Sequence, residues 1–152
     1  MTDLYSDKDI LNVFKDDGVK KVFIGEGIQN FPHVELKKIK ERCGEPPWVA
    51  RVIYNEHFGC TLICQMPGAG CRFHYHPEAD ETWVILEGEF EWYMEGRGVI
   101  QAKEKDIVFV KRGMKHQIRC IGPVPGIRYA ITAPDVNHVY CERTDGNDWH
   151  KK

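Results

Sequence analysis

The chain has 152 residues, 42% of them hydrophobic and 29% charged, and a formal net charge of −2. That length supports one domain with a proper core and is too short for two comfortable ones. The near-neutral charge gives no electrostatic case for nucleic acid or for an anionic membrane, and no apolar run approaches the roughly 20 residues of a membrane span.

Residues 1–10 are polar and partly acidic, without the basic start and apolar run of a secretory signal. Residues 6–14 read as a short helix. Ser6 can cap it, Asp9 occupies the reciprocal capping position, and Ile10, Val13 and Phe14 form one apolar stripe, with Gly18 as the stop. Residues 34–43 fit two readings: Val34 and Leu36 alternate as in a strand, while Leu36, Ile39 and Cys43 have helical spacing. Residues 44–47 break whatever precedes them. From Trp48 the chain is a succession of short β-runs at 49–56, 59–66, 71–76, 81–87, 89–95, 98–102, 107–110, 116–121 and 127–133. Turn signals separate them: Pro67-Gly68, Glu87-Gly88, Gly96-Arg97-Gly98, 111–113 and 122–126. Short strands at this spacing with no helices between them indicate an all-β sandwich or barrel. The turn-like, polar stretch from 145 predicts a disordered end. Cysteines at 43, 60, 64, 71, 120 and 141 form no Cys-x-x-Cys pair. They read as reduced thiols in a cytoplasmic protein.

One stretch carries chemistry: Gly68-x5-His74-x-His76-x4-Glu81-x6-Gly88, with His116 following 35 residues after Glu81. Side chains alternate along a strand, so His74 and His76 point the same way and can grip one ion. Glu81 and His116 would close the set from neighbouring strands. Imidazole and carboxylate ligands suit a divalent Fe, Mn, Ni, Cu or Zn ion. Three His and one Glu leave two positions open on an octahedral ion, enough for a small oxygen-rich substrate or dioxygen. His33, His57, His138 and His150 lack such a frame and are assigned to surface or loop.

These residues resemble the cupin superfamily. Its first motif has glycine, five residues, His-x-His, three or four residues, Glu, six residues and glycine, and 68–88 fits every fixed position. Of its second motif only Gly113 and His116 match. Lys105 stands where glycine is usual, Lys111 where proline is usual and Cys120 where asparagine is usual. The resemblance covers about 48–135 and implies a double-stranded β-helix, or jelly-roll barrel, at 48–140. A short helical or irregular extension at 1–47 would pack on the barrel or on a partner subunit, and a tail would follow at 141–152. It implies the metal ligands His74, His76, Glu81 and His116.

Alternation then predicts what else faces the ion. Arg72, two before His74, belongs at the mouth of the barrel. Trp83, two after Glu81, points inward. On 49–56, either Arg51, Ile53 and Asn55 or Val52, Tyr54 and Glu56 face the cavity. A guanidinium near an open metal site suggests capture of a carboxylate or phosphate; its alternative is a rim salt bridge. The expected function is a metal-dependent enzyme that chelates a keto acid, hydroxy acid or sugar-like substrate for isomerisation, elimination or decarboxylation. An Fe(II) dioxygenase and a non-catalytic ligand-binding module are the alternatives, since fold alone does not decide function. A homodimer is expected, because a β-sandwich exposes edges that must be covered. The run Phe90, Trp92 and Tyr93 is a candidate contributor to that contact.

Overall fold

The strand pattern from Trp48 onward is realised almost run for run in the computed structural model, which describes residues 3–6, 8, 10–25 and 27–150. The elements are β1 (Asp3–Ser6), α1 (Ile10–Lys15), β2 (Val22–Phe23), α2 (Leu36–Cys43), β3 (Trp48–Tyr54), β4 (Gly59–Gln65), β5 (His74–Tyr75), β6 (Glu81–Glu87), β7 (Glu89–Met94), β8 (Gly98–Lys103), β9 (Ile107–Val110), β10 (His116–Ile121), β11 (Gly126–Thr132) and β12 (Asn137–Tyr140). They form two six-stranded sheets, one ordered β1-β12-β5-β10-β7-β8 and the other β2-β3-β4-β11-β6-β9. This is a jelly-roll barrel: among the described strands only β2–β3, β3–β4 and β7–β8 are neighbours both in sequence and in a sheet, and the other pairings join strands distant along the chain.

Alternation sorts the side chains into two cores. Val49, Ile63, Trp83, Ile85, Trp92, Val108, Ile118 and Ala130 fill the space between the sheets. Trp48, Ala50, Val52, Leu62, Cys64 and Ile127 point the other way and pack beneath Ile28, Ile39 and Cys43. The helical spacing of Leu36, Ile39 and Cys43 therefore prevails at 36–43, because an amphipathic helix is what covers the outer face of the second sheet. Phe90 and Trp92 are fully buried, so they belong to the core and are not available to a subunit contact.

The amino-terminal segment departs from the expected single helix. Residues 3–6 form an edge strand on β12, and α1 begins only at Ile10. Ser6 ends the strand, its Oγ accepting the Lys8 N–H and donating to the Asp135 carbonyl; Asp9 lies outside the described residues. Ile10, Val13 and Phe14 form the predicted stripe and are buried in the barrel core. No helix among the described residues is long and apolar enough to cross a membrane.

Candidate metal centre

His74 and His116 stand directly opposite each other in the β5–β10 ladder, and their ring centroids are 4.4 Å apart. His76 follows two residues on, 4.9 Å from the His74 ring and 5.5 Å from the His116 ring. Glu81 opens β6 in the other sheet, so its carboxylate reaches the group from across the barrel, with Oε1 2.8 Å from His76 Nε2. The loops carrying the two motifs are stitched together. Gly113 N–H donates to the His76 carbonyl, and Arg112 N–H donates to Asp80 Oδ1.

The hydrogen bonds set the tautomer. His74 Nδ1 bonds the Arg72 carbonyl at 2.6 Å, His76 Nδ1 the Asn137 carbonyl at 3.0 Å and His116 Nδ1 the Met114 carbonyl at 2.9 Å. A carbonyl only accepts, so each Nδ1 carries a proton and each Nε2 is left as the coordinating atom. His116 Nε2 is buried and has no hydrogen-bond partner among the described residues. Burial, reinforced by the neighbouring imidazoles, depresses the His74 pKa well below the usual histidine value and lowers that of His116 to about 4. Both rings are therefore neutral near pH 7. Burial opposes ionisation of Glu81, but the charge and hydrogen bond of His76 outweigh it and hold the carboxyl below its ordinary value.

These features fit a divalent cation. The chemistry is neutral imidazoles at His74 and His116, a third imidazole, His76, paired with the Glu81 carboxylate, and an orphaned buried nitrogen on His116. The 2.8 Å separation of His76 Nε2 and Glu81 Oε1 is close to the edge of about 3 Å that two adjacent ligands make around one ion at roughly 2.1 Å from each. The residues that would hold it are His74, His76, Glu81 and His116. With His138 added, the possible ligand atoms among the described residues form two triads that share His76: His76 with Glu81 and His116, and His74 with His76 and His138, the atoms of each within 4.8 Å of one another.

His138 is the residue that sequence reasoning assigned elsewhere. β12 pairs with β5 so that Tyr140 faces His74. Continuing that register sets His138 beside His76, with the rings 4.5 Å apart. Burial lowers its pKa to about 3. Only the pairing of β12 with β5 reveals it, since no motif frames it in the sequence.

His74, His76, Glu81 and His138 line a cavity of about 50 Å³, with Trp83, Ile63, Ile118 and Ala130 as apolar wall and Ile10, Val13 and Phe14 of α1 as its roof. Trp83 points inward, its ring 5.8 Å from that of His116. Arg72 is not in the lining; its guanidinium bonds Asp16 and stacks on the Tyr140 ring. Arg51 shares the inward face of β3 with Val49, opposite Thr61, yet it stacks on Tyr54 and does not line the cavity either. The guanidinium that does is Arg128 on β11, together with Asp17 from the loop after α1.

Residues 61–131 match the family model of the cupin domain. The tetracenomycin polyketide synthase protein TcmJ of Streptomyces glaucescens is 31% identical over 81 residues, or 50% of this chain and 54% of that protein, so the chain spans about half the length of this curated relative. An uncharacterized conserved protein with a double-stranded β-helix domain from Klebsiella pneumoniae superposes with a TM-score of 0.60 at 24% identity, over 69% of this chain and 86% of that one. An RmlC-like cupin family protein from Methanocaldococcus jannaschii superposes with a TM-score of 0.55 at 23% identity, over 60% and 83%. With two facing sheets and the matched segment spanning β4 to β11, residues 61–131 form a cupin domain.

Proposed function

We propose that this chain is a metal-dependent enzyme acting on a small oxygen-rich substrate, a keto acid, hydroxy acid or sugar-like molecule. The observation that supports it is the common orientation of His74, His76 and His116, with every Nδ1 tied to a main-chain carbonyl, beside a cavity lined by His74, His76 and Glu81. A divalent Fe, Mn, Ni or Zn ion bound there would polarise a substrate carbonyl or hydroxyl, suiting isomerisation, elimination or decarboxylation, or as iron would support oxygen chemistry. The protein's part is to keep His74 and His116 neutral, to orient all three imidazoles and to hold Glu81 ionised. The apolar wall of Trp83, Ile63 and Ile118 keeps bulk water out, which strengthens every charge interaction inside. Homodimerisation in the cytoplasm belongs to the same proposal. β8 and β9 are the open edges of the two sheets and carry the exposed Val99, Ile107 and Phe109, an apolar margin that calls for cover.

The test is metal content by elemental analysis on protein purified without chelator or affinity nickel, beside His76→Ala and His116→Ala. We expect near-stoichiometric divalent metal in the parent and its loss from both variants. Iron directs the search to oxygen-consuming reactions; manganese, nickel or zinc directs it to Lewis-acid chemistry on sugars and hydroxy or keto acids. A parent that holds no metal, and takes none up on titration, refutes the reading and leaves a non-catalytic binding module.

A further inference from the structure

Arg128 is 2% exposed, on the same face of β11 as Ala130 and Thr132, and all three line the cavity that contains His74, His76 and Glu81. Its Nη1 donates to Gln65 Oε1 at 2.6 Å, and the guanidinium lies 5.2 Å from the Phe90 ring. Its Nε has no hydrogen-bond partner among the described residues, and neither has Nε2 of the fully buried Gln65. The ion pairs among the described residues engage Lys38, Lys40, Arg72, Arg119 and Arg143, not Arg128. A guanidinium keeps its charge in any protein environment, and a buried one without a counter-ion is costly. Two acids share its cavity: Glu81, whose carboxylate is paired with His76, and Asp17, which burial raises to about 7 despite the pull of Arg128, so neither makes an ion pair with the guanidinium.

We propose that Arg128 is the anchor for the carboxylate of a short-chain acid whose other end faces the histidine cluster. This rests on the reading of the cavity as a substrate site and sharpens it. Size sets the chain length. One water needs roughly 10–15 Å³ on this measure, so about 50 Å³ accommodates about four such groups. That suits acetate, admits glycolate at the upper end, leaves pyruvate to need some widening, and excludes a sugar while α1 stays seated. Chemistry sets the rest. The Arg128 Nε–H meets a carboxylate oxygen. The apolar wall of Ile63, Trp83 and Ile118 meets a short carbon stem. The far end, near Glu81 and the imidazoles, suits a keto or hydroxyl oxygen.

The experiment is calorimetric titration of the parent protein with acetate, glycolate and pyruvate, against acetamide and glycolamide as neutral isosteres, with metal content determined on the same sample. Arg128→Met and Arg128→Lys are titrated alongside. We expect glycolate to bind at least tenfold more tightly than glycolamide, and Arg128→Met to lose that preference while its metal content is unchanged. If Arg128→Met does not fold, the acid-against-amide comparison on the parent decides the matter. Acid and amide binding equally, or no acid binding to metal-replete protein, overturns the anchor and leaves the metal reading standing. A preference for the acid in protein that takes up no metal upholds the anchor and removes the metal reading.

Discussion

Asp17 is 7% exposed, and its Oδ1 lacks a hydrogen-bond partner among the described residues. Burial is the main reason its pKa rises from 3.8 to about 7; the Arg128 charge and the Arg72 backbone N–H pull the other way, and Asp16 adds to the rise. The native value lies above the unfolded one, so the native state holds the proton more tightly. The stability tied to that proton is complete below pH 4 and is lost as pH rises through about 7. At about 1.4 kcal/mol per pKa unit, the ceiling is about 4 kcal/mol at high pH. Asp17→Asn removes the titration while keeping size. In metal-stripped protein we expect its advantage over the parent in urea unfolding to be near zero at about pH 4, to grow through pH 5 and 6, and to reach up to that amount by pH 8.5; an unchanged difference across pH would refute the assignment. Neither Asp17 nor Arg128 was legible as a site residue. Along β11 the sequence offers Ile127, Tyr129 and Ile131 as the apolar face, which reads as inward. Instead Ile127 and Tyr129 face α2 and the alternate face carries Arg128 into the barrel. Alternation locates the two faces of a strand but cannot say which is interior when both are covered. His74, His76, Glu81 and His116 were legible because strand spacing and the glycine frame act locally.

At the scale of elements, nine strands follow from periodicity and turn chemistry, the second helix is one of the two readings that the spacing at 34–43 allows, and β1, β2 and β12 do not follow. β1 and β2 are short edge pieces whose existence depends on a neighbour already in place, β12 for β1 and β3 for β2, and β12 is a short strand held between β1 and β5. Turns test the local rules more sharply. Lys105 sits between β8 and β9 where the family usually has glycine, and its φ is 77°. Its N–H donates to the Ile85 carbonyl and Asp106 N–H to the Lys103 carbonyl, so hydrogen bonding holds the turn in the left-handed region. A residue with a Cβ there costs roughly 1–2 kcal/mol, and glycine returns part of that gain through a more disordered unfolded chain, roughly 0.5–1 kcal/mol. Lys105→Gly should therefore stabilise the protein by about 0.5–1 kcal/mol, read as a small rise in the thermal midpoint. A fall would mean that the lysine side chain contributes something the hydrogen bonds do not show. The reverse change at the left-handed Gly113, whose φ is 79°, should destabilise, since its N–H holds the His76 carbonyl.

The whole molecule is closed by its two ends meeting over the site. The stretch from 145 has the turns its composition predicts: Asp145 accepts the Asn147 N–H, Asp148 accepts the His150 N–H, and Gly146 has φ 80°. It is nonetheless ordered through 150, contrary to the expected disorder, because partners distant in sequence hold it. The fully buried Gln117 is the socket. Its Nε2 donates to Cys71 O and Asp148 Oδ1, and its Oε1 accepts from Arg143 Nη1 and Trp149 N–H. Arg143 stacks on Tyr93 at 3.6 Å and Arg119 on Trp149 at 4.4 Å. His150 Nε2 then donates to the Asp16 carbonyl at 2.6 Å, one residue from Asp17 and just beyond α1, whose apolar stripe roofs the cavity. Deleting 143–152 would strip Gln117 of three of these four bonds, leaving a buried amide largely unsatisfied at roughly 1–3 kcal/mol per lost group. Water entering the vacated socket would return part of that. We expect a loss of roughly 2–4 kcal/mol in stability together with faster amide exchange at 10–18, where local opening is limited by how firmly the roof is held. If exchange speeds up only beside Gln117 and leaves 10–18 as protected as before, the tail is a brace for the first sheet alone and the roof over the histidines is held by the packing of Ile10, Val13 and Phe14.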